Sequence, residues 1–147
     1  MNTREIINSI DRERKEQESI YHAAAAKYGL SGTAMWVLYY ISEFDEDQTQ
    51  QDLCRQGFHA KQTINTAIAG LAKGGCVELI PISGTRNSKK IHLTSKGLEL
   101  VDRTTRCLKA AEANAYGRFT EEELRAYLET AAKLNAFLRE EFEKLHK

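Results

Sequence analysis

Two clusters of side chains carry the recognition chemistry of this sequence. Within six residues, Lys61, Gln62, Thr63, Asn65 and Thr66 bring together an ammonium, two carboxamides and two hydroxyls. A carboxamide donates and accepts at once, so Gln62 and Asn65 can each form paired hydrogen bonds with an adenine edge, and Thr66 can meet a thymine methyl or a base acceptor. Lys61 and Thr63 suit phosphate contacts, since a helix beginning there offers free N–H groups and positive potential. The second cluster, Arg86, Asn87, Ser88, Lys89 and Lys90, crowds three cations into five residues. An Arg on such a projection can enter a minor groove, and the lysines can hold phosphates. An ordinary solvated helix face and a charged hairpin that resists edge pairing are the competing readings. The first face, however, carries no acid in a chain that has 21.

The elements that position these clusters follow from hydrophobic spacing. Ala60, Ile64, Ala67, Ile68 and Leu71 fall on one face of a helix beginning near Ala60 and stopped by Gly74-Gly75. Gln62, Asn65, Thr66, Ala69 and Lys73 take the opposite face, with Lys61 and Thr63 on its flanks. A short helix, QQDLCRQ, precedes it, opened by Thr49 with Asp52 as a capping pair and separated from it by a break at Gly57. Two short helices about a turn apart match helix-turn-helix spacing. Val77–Ile82 and Lys90–Leu93 read as a hairpin whose loop, Ser83–Lys89, holds the second cluster.

Upstream, the pattern predicts a helix from about Thr3 to Tyr28 with Ile6, Ile10, Ile20, Tyr21, Ala24 and Tyr28 as its apolar positions. A second helix follows, capped by Ser31 or Thr33, with Trp36, Leu38, Tyr39, Ile41 and Phe44 as core. Downstream, Thr94 caps a helix running to about Gly117 along Leu98, Val101, Thr105, Leu108 and Ala115. Thr120 with Glu123 opens a last one along Leu124, Tyr127, Leu128, Ala131, Leu134, Leu138, Phe142 and Leu145. That last stripe is longer than one small domain buries, which predicts a homodimer.

Net charge is zero, yet it is unevenly placed. Residues 31–54 hold five acids and no base, whereas 55–96 hold seven bases against one acid. The local basic patch, rather than the sum, governs phosphate binding. No stretch approaches the ~20 apolar residues of a membrane span, and the charged start MNTREIINSIDRERKE is unlike a signal peptide, which predicts a cytoplasmic protein. Three cysteines (Cys54, Cys76, Cys107) without metal-ligand spacing predict free, inert thiols, and the scattered histidines predict no metal. No phosphate loop, HExxH or nucleophile elbow occurs, so neither an enzyme nor a cofactor is expected.

Thr49 and Leu53 in a T-x-x-x-L pattern, KQTINTAIAGLAKGG over Lys61–Gly75, and I-x-L-T-x-K-G over Ile91–Gly97 together resemble MarR-type (multiple antibiotic resistance regulator) transcription factors. The resemblance spans nearly the whole chain. It implies a mainly α fold with a small β-hairpin wing, a winged helix-turn-helix ordered α-α-β-α-α-β-β-α-α. It implies dimerisation helices at 1–30 and 95–147 around a DNA-binding lobe at 31–94. A repressor-like homodimer on a pseudo-palindromic operator is the implied function, with double-stranded DNA as partner and a small aromatic effector as a further one. Tyr21, Tyr28, Trp36 and Tyr39 are candidates for the effector pocket. The wing departs from the family's Asp-x-Arg, since Thr85-Arg86-Asn87 falls there and the Asp is absent. Ala60 stands where a capping Ser is usual. The altered wing and zero net charge leave a second reading, a helical protein-interaction module that kept the winged fold but lost DNA binding.

Overall fold

The computed structural model describes residues 1–57 and 59–146, so Phe58, within the expected 31–94 lobe, and Lys147, the last residue of the expected C-terminal segment, lie outside the described residues. Among the described residues ten elements follow one another: α1 (Thr3–Lys27), α2 (Gly32–Ile41), β1 (Gln48–Thr49), α3 (Gln50–Gly57), α4 (Lys61–Lys73), β2 (Val77–Pro81), β3 (Lys89–Leu93), α5 (Ser95–Arg103), α6 (Thr105–Tyr116) and α7 (Glu121–Glu143). The chain is mainly helical with a three-stranded antiparallel sheet ordered β1-β3-β2. It divides into two compact units, residues 1–108 and 109–147. No described helix is long and apolar enough to cross a membrane.

Local signals in the sequence account for most of the boundaries. Asn2 and Glu5 form a reciprocal capping box on α1, as Thr120 and Glu123 do on α7. Ser31, not Thr33, caps α2, its hydroxyl accepting from the Ala34 N–H at 3.1 Å. Gly75 lies at φ +77° just past α4, a conformation that glycine adopts without steric cost. Thr94 caps α5 by accepting from the Gly97 N–H.

The core of the first unit gathers Val37, Leu38 and Ile41 of α2, Leu53 of α3, Ile64, Ile68 and Leu71 of α4, Val77 and Ile91 of the hairpin, and Leu100 and Val101 of α5. Some expected core positions fall elsewhere. Trp36 and Tyr39 are half-buried and Phe44, beyond the end of α2, is exposed, while Met35 and Val37 are buried in their place. A helix enclosed on several sides has no single apolar stripe to read. Leu98 is exposed and Leu100 is buried, because the face of α5 that packs is set by the sheet beneath it.

The expected helix from Thr94 to Gly117 is broken in two. Thr104 leaves the helical region at φ −124°, ψ −84°. Its hydroxyl donates to the Leu100 carbonyl at 2.6 Å, and that of Thr105 donates to the Val101 carbonyl at 3.4 Å. Both threonines are fully buried. Such side-chain bonds to the carbonyl four residues back bend helices, and here they separate α5 from α6. The order therefore has one helix more than the family pattern implied.

The apolar stripes of the long helices are uncovered within each unit. On α1, Ile6, Ile7 and Ile10 are exposed; on α7, Tyr127, Leu128, Phe137 and Phe142 are exposed by 52–70%. α7 has no buried residue at all among those described.

Gly97 has the tightest backbone approach among the described glycines: a methyl group on its Cα would run into the Cys76 carbonyl. Gly97→Ala is expected to destabilise the protein by roughly 1–3 kcal/mol, the usual cost of overpacking. Urea denaturation checks this, and an unchanged midpoint would show that the contact relaxes freely.

Candidate nucleic-acid interface

The orientation of α4 is fixed from behind. Ile64, Ile68 and Leu71 are buried and Ala67 is half-buried, which turns Gln62, Thr63, Asn65, Thr66, Ala69 and Lys73 outward, all exposed. Lys61 heads the helix and is exposed too. No hydrogen bond among the described residues occupies the carboxamides of Gln62 and Asn65, so both edges are available. Thr66 differs, because its hydroxyl donates to the Gln62 carbonyl at 3.0 Å. It therefore offers a lone pair and a methyl group outward but no donor.

The start of α4 is open. Ala60 occupies the N-cap position with extended backbone and no capping side chain, as its identity requires. The first-turn N–H groups consequently lack a side-chain acceptor, and an anion placed there would satisfy them.

The wing projects beside α4. β2 and β3 pair from Val77↔Leu93 to Pro81↔Lys89. Its turn is closed by the Ile82 N–H donating to the Ser88 carbonyl and by Thr85, whose N–H and hydroxyl both donate to the Ile82 carbonyl. Arg86 and Asn87 lie in this loop; Lys89 and Lys90 lie in β3 rather than at the tip, Lys90 opposite both Ile80 and Thr49. All four are exposed. Arg86, Lys89 and Lys90 have no acidic partner among the described residues, whereas Arg55, Arg106 and Arg125 are each ion-paired.

α4 and the wing border one concavity of about 850 Å³, which brings Lys61 and Asn65 together with Asn87 and Lys89. Arg86, Gln62, Thr63 and Thr66 do not line it. Its third wall is α3, through Gln50, Gln51 and Arg55, which the sequence reading passed over. Their spacing, with 51 and 55 one turn apart, was the available signal. Gln50 also donates to the Lys61 carbonyl at 3.2 Å, tying the two helices of the motif at their openings.

The candidate effector residues divide. Tyr21, Trp36 and Tyr39 form one aromatic cluster with Tyr40, with centroids 5.0 Å apart for Tyr21–Trp36 and Trp36–Tyr39 and 5.6 Å for Trp36–Tyr40. Tyr28 makes no ring contact with them and is exposed at the end of α1. Cys54 is half-buried, Cys76 buried and Cys107 exposed, all as free thiols. No group of three or more potential metal ligands occurs among the described residues.

Thr49 and Asp52 support the interface from beneath. The Thr49 N–H donates to the Asp52 carboxylate at 2.9 Å and the Asp52 N–H donates to the Thr49 hydroxyl at 3.2 Å. The backbone bond from Thr49, aided by Thr49 Oγ1 and Arg55, holds the Asp52 carboxyl below its ordinary pKa.

Comparison with known proteins follows the same outline. Residues 28–86 match the sequence model of the MarR family. No curated protein matches the chain by sequence similarity. Among solved structures, NMB1585, a MarR family regulator from Neisseria meningitidis, is similar with a TM-score of 0.80 at 16% identity, over 99% of this chain and 100% of that one. The MepR–DNA complex of S. aureus is similar with a TM-score of 0.71 at 17% identity, over 94% and 99%. NadR in complex with 4-hydroxyphenylacetate is similar with a TM-score of 0.68 at 15% identity, over 88% and 91%. At these identities the likeness establishes the fold.

Because the folded pKa of Asp52 is depressed, its contribution to stability is fully present above the unfolded value of about 3.9 and is lost as pH falls through the folded value. Thr49→Ala is expected to cost about 1 kcal/mol at neutral pH. Asp52→Asn should be less stable than wild type at pH 7 and converge with it in acid, as followed by thermal unfolding across pH. A difference that persists unchanged in acid would remove the carboxylate from the cap.

Proposed function

We propose, from the premise that this chain is a MarR family protein by its residues 28–86, that it is a sequence-specific DNA-binding transcription regulator acting as a homodimer. The observation that carries this reading is the outward face of α4. It is acid-free, it presents Gln62 and Asn65 with their carboxamides unoccupied, and it stands beside three unpaired wing cations. A face of this kind offers both halves of recognition: paired hydrogen bonds for base edges and cations for the flanking phosphates.

In this reading α4 enters the major groove with Lys61, Gln62, Thr63, Asn65 and Thr66, while Arg86, Asn87, Lys89 and Lys90 hold the neighbouring backbone or minor groove. Segments 1–30 and 95–147 form the dimerisation region and 31–94 the DNA-binding lobe. The uncovered apolar faces of α1 and α7 support a second copy as their cover, since patches of that extent rarely face water. Two-fold symmetry then sets two half-sites about 34 Å apart on a pseudo-palindrome. Repression released by a small aromatic effector completes the proposal. The Tyr21–Trp36–Tyr39 cluster is consistent with it, and NadR, of the same fold, was solved with 4-hydroxyphenylacetate. A regulator of this kind works in the cytoplasm and needs no catalytic group.

Selection of duplexes from a random pool by the purified protein is expected to enrich a pseudo-palindrome, with the protein at dimer mass in gel filtration. Enrichment of nothing, even at ~50 mM salt where electrostatic affinity is strongest, would favour the interaction module instead. On the enriched duplex, Gln62→Ala or Asn65→Ala should lose roughly 1–3 kcal/mol and little on random DNA. Replacing Lys89 and Lys90 by alanine should instead lower the salt slope of binding by about two.

A further inference from the structure

Two concavities run along α4, one on each side of its outward ridge. The first is bordered by the wing. The second, of about 690 Å³, separates α4 from the start of α2, with Ser31 and Thr33 facing Gln62, Thr63, Thr66 and Gly70. At 100° per residue Gln62, Thr66 and Lys73 form the ridge, Lys61 and Asn65 fall to the wing side, and Thr63 and Gly70 fall to the α2 side.

Gly70 has no explanation inside the chain. Glycine within a helix is destabilising relative to alanine. Its φ is not positive, and a Cβ built on it meets nothing within 4 Å, so neither backbone conformation nor packing among the described residues calls for a missing side chain. Close approach by another molecule would.

We propose that this groove seats the sugar-phosphate backbone along the second wall of the DNA major groove that α4 enters, with Gly70 as the point of closest approach. The proposal rests on the DNA-binding reading above. A major groove is about 12 Å wide, and a helix with its side chains measures about 10–12 Å across, so a helix seated in it has a phosphate strand along each flank. On the wing side that strand meets Lys61, Asn87 and Lys89. On the α2 side it meets the hydroxyls of Ser31, Thr33 and Thr63. The Ser31 oxygen accepts from the Ala34 N–H, which leaves its own O–H to donate to a phosphate. No carboxylate lines the groove among the described residues, as an anionic occupant requires. The groove is continuous with the reading face, since Gln62, Thr63 and Thr66 belong to both. A side chain at position 70 would hold the strand away from these hydroxyls.

Gly70→Leu in the full chain tests this, because leucine is a better helix former than glycine and the site is open. Its thermal midpoint is expected to equal or exceed that of wild type, while affinity falls at least tenfold on both the enriched duplex and random duplex. In phosphate-ethylation interference, Gly70→Leu should lose the signal on one strand of each half-site, and Lys89→Ala the signal on the other. Thr33→Lys should raise affinity on all sequences and steepen the salt slope by about one. If Gly70→Leu and Thr33→Lys both bind within twofold of wild type with interference kept on both strands, the groove lies outside the interface and the proposal falls alone. A wild-type protein that enriches no duplex would take the DNA-binding reading down with it.

Discussion

Burial of Ile64, Ile68 and Leu71 against Leu38, Leu53 and Ile91 is the contact from which the rest of the lobe takes its form. It commits one face of α4 to the interior and thereby fixes which residues point outward, with the Gln50 bond to the Lys61 carbonyl adding a polar tie at the helix start. Close packing makes this orientation stiff, since rotating the helix would expose three large aliphatic side chains at once. Everything proposed for the surface, the carboxamides of Gln62 and Asn65 on the ridge and the two grooves on its flanks, inherits its direction from that apolar wedge. The proposed recognition chemistry is positioned by groups that take no part in it.

The long helices state the complementary constraint. α1 and α7 are each well terminated by capping boxes, so the chain specifies where they start even though little within each unit covers them. Their local signals are complete while their tertiary burial is not. Helices of this length gain most of their stability from an apolar face in contact with something. These are the two segments that the proposed second copy would cover, whereas the residues between them in sequence already gather an enclosed core.

What could be read from the residues alone follows a physical rule. Features set by neighbours in sequence were legible: the Thr49–Asp52, Thr94 and Thr120–Glu123 caps, the Gly74-Gly75 stop, and the inward and outward faces of α4, whose single apolar stripe leaves little choice. Features set by packing were not. Leu98 and Leu100 are both apolar, and only the sheet beneath decides which is buried. α2 is apolar on nearly all sides, so its pattern did not separate Met35 and Val37, which are enclosed, from Trp36 and Tyr39, which are half-covered. The break at Thr104 was not legible, because Thr105 fits a continuous apolar stripe and only the burial of both threonines turns their hydroxyls onto the preceding turn. For the proposed interface, residue chemistry points to α4 and the wing, whereas the place of α3 emerges only where the three elements close around one concavity.

Thr49 has a place in this assembly that its size conceals. Its side chain caps α3, while its backbone, in the short strand β1, pairs across to Lys90 of the central strand. Because β3 also carries β2, the hairpin is bolted at this residue to the opening of the helix-turn-helix. One residue thus belongs at once to the start of a helix and to the edge of the sheet, so the cap and the strand pairing share a single backbone conformation.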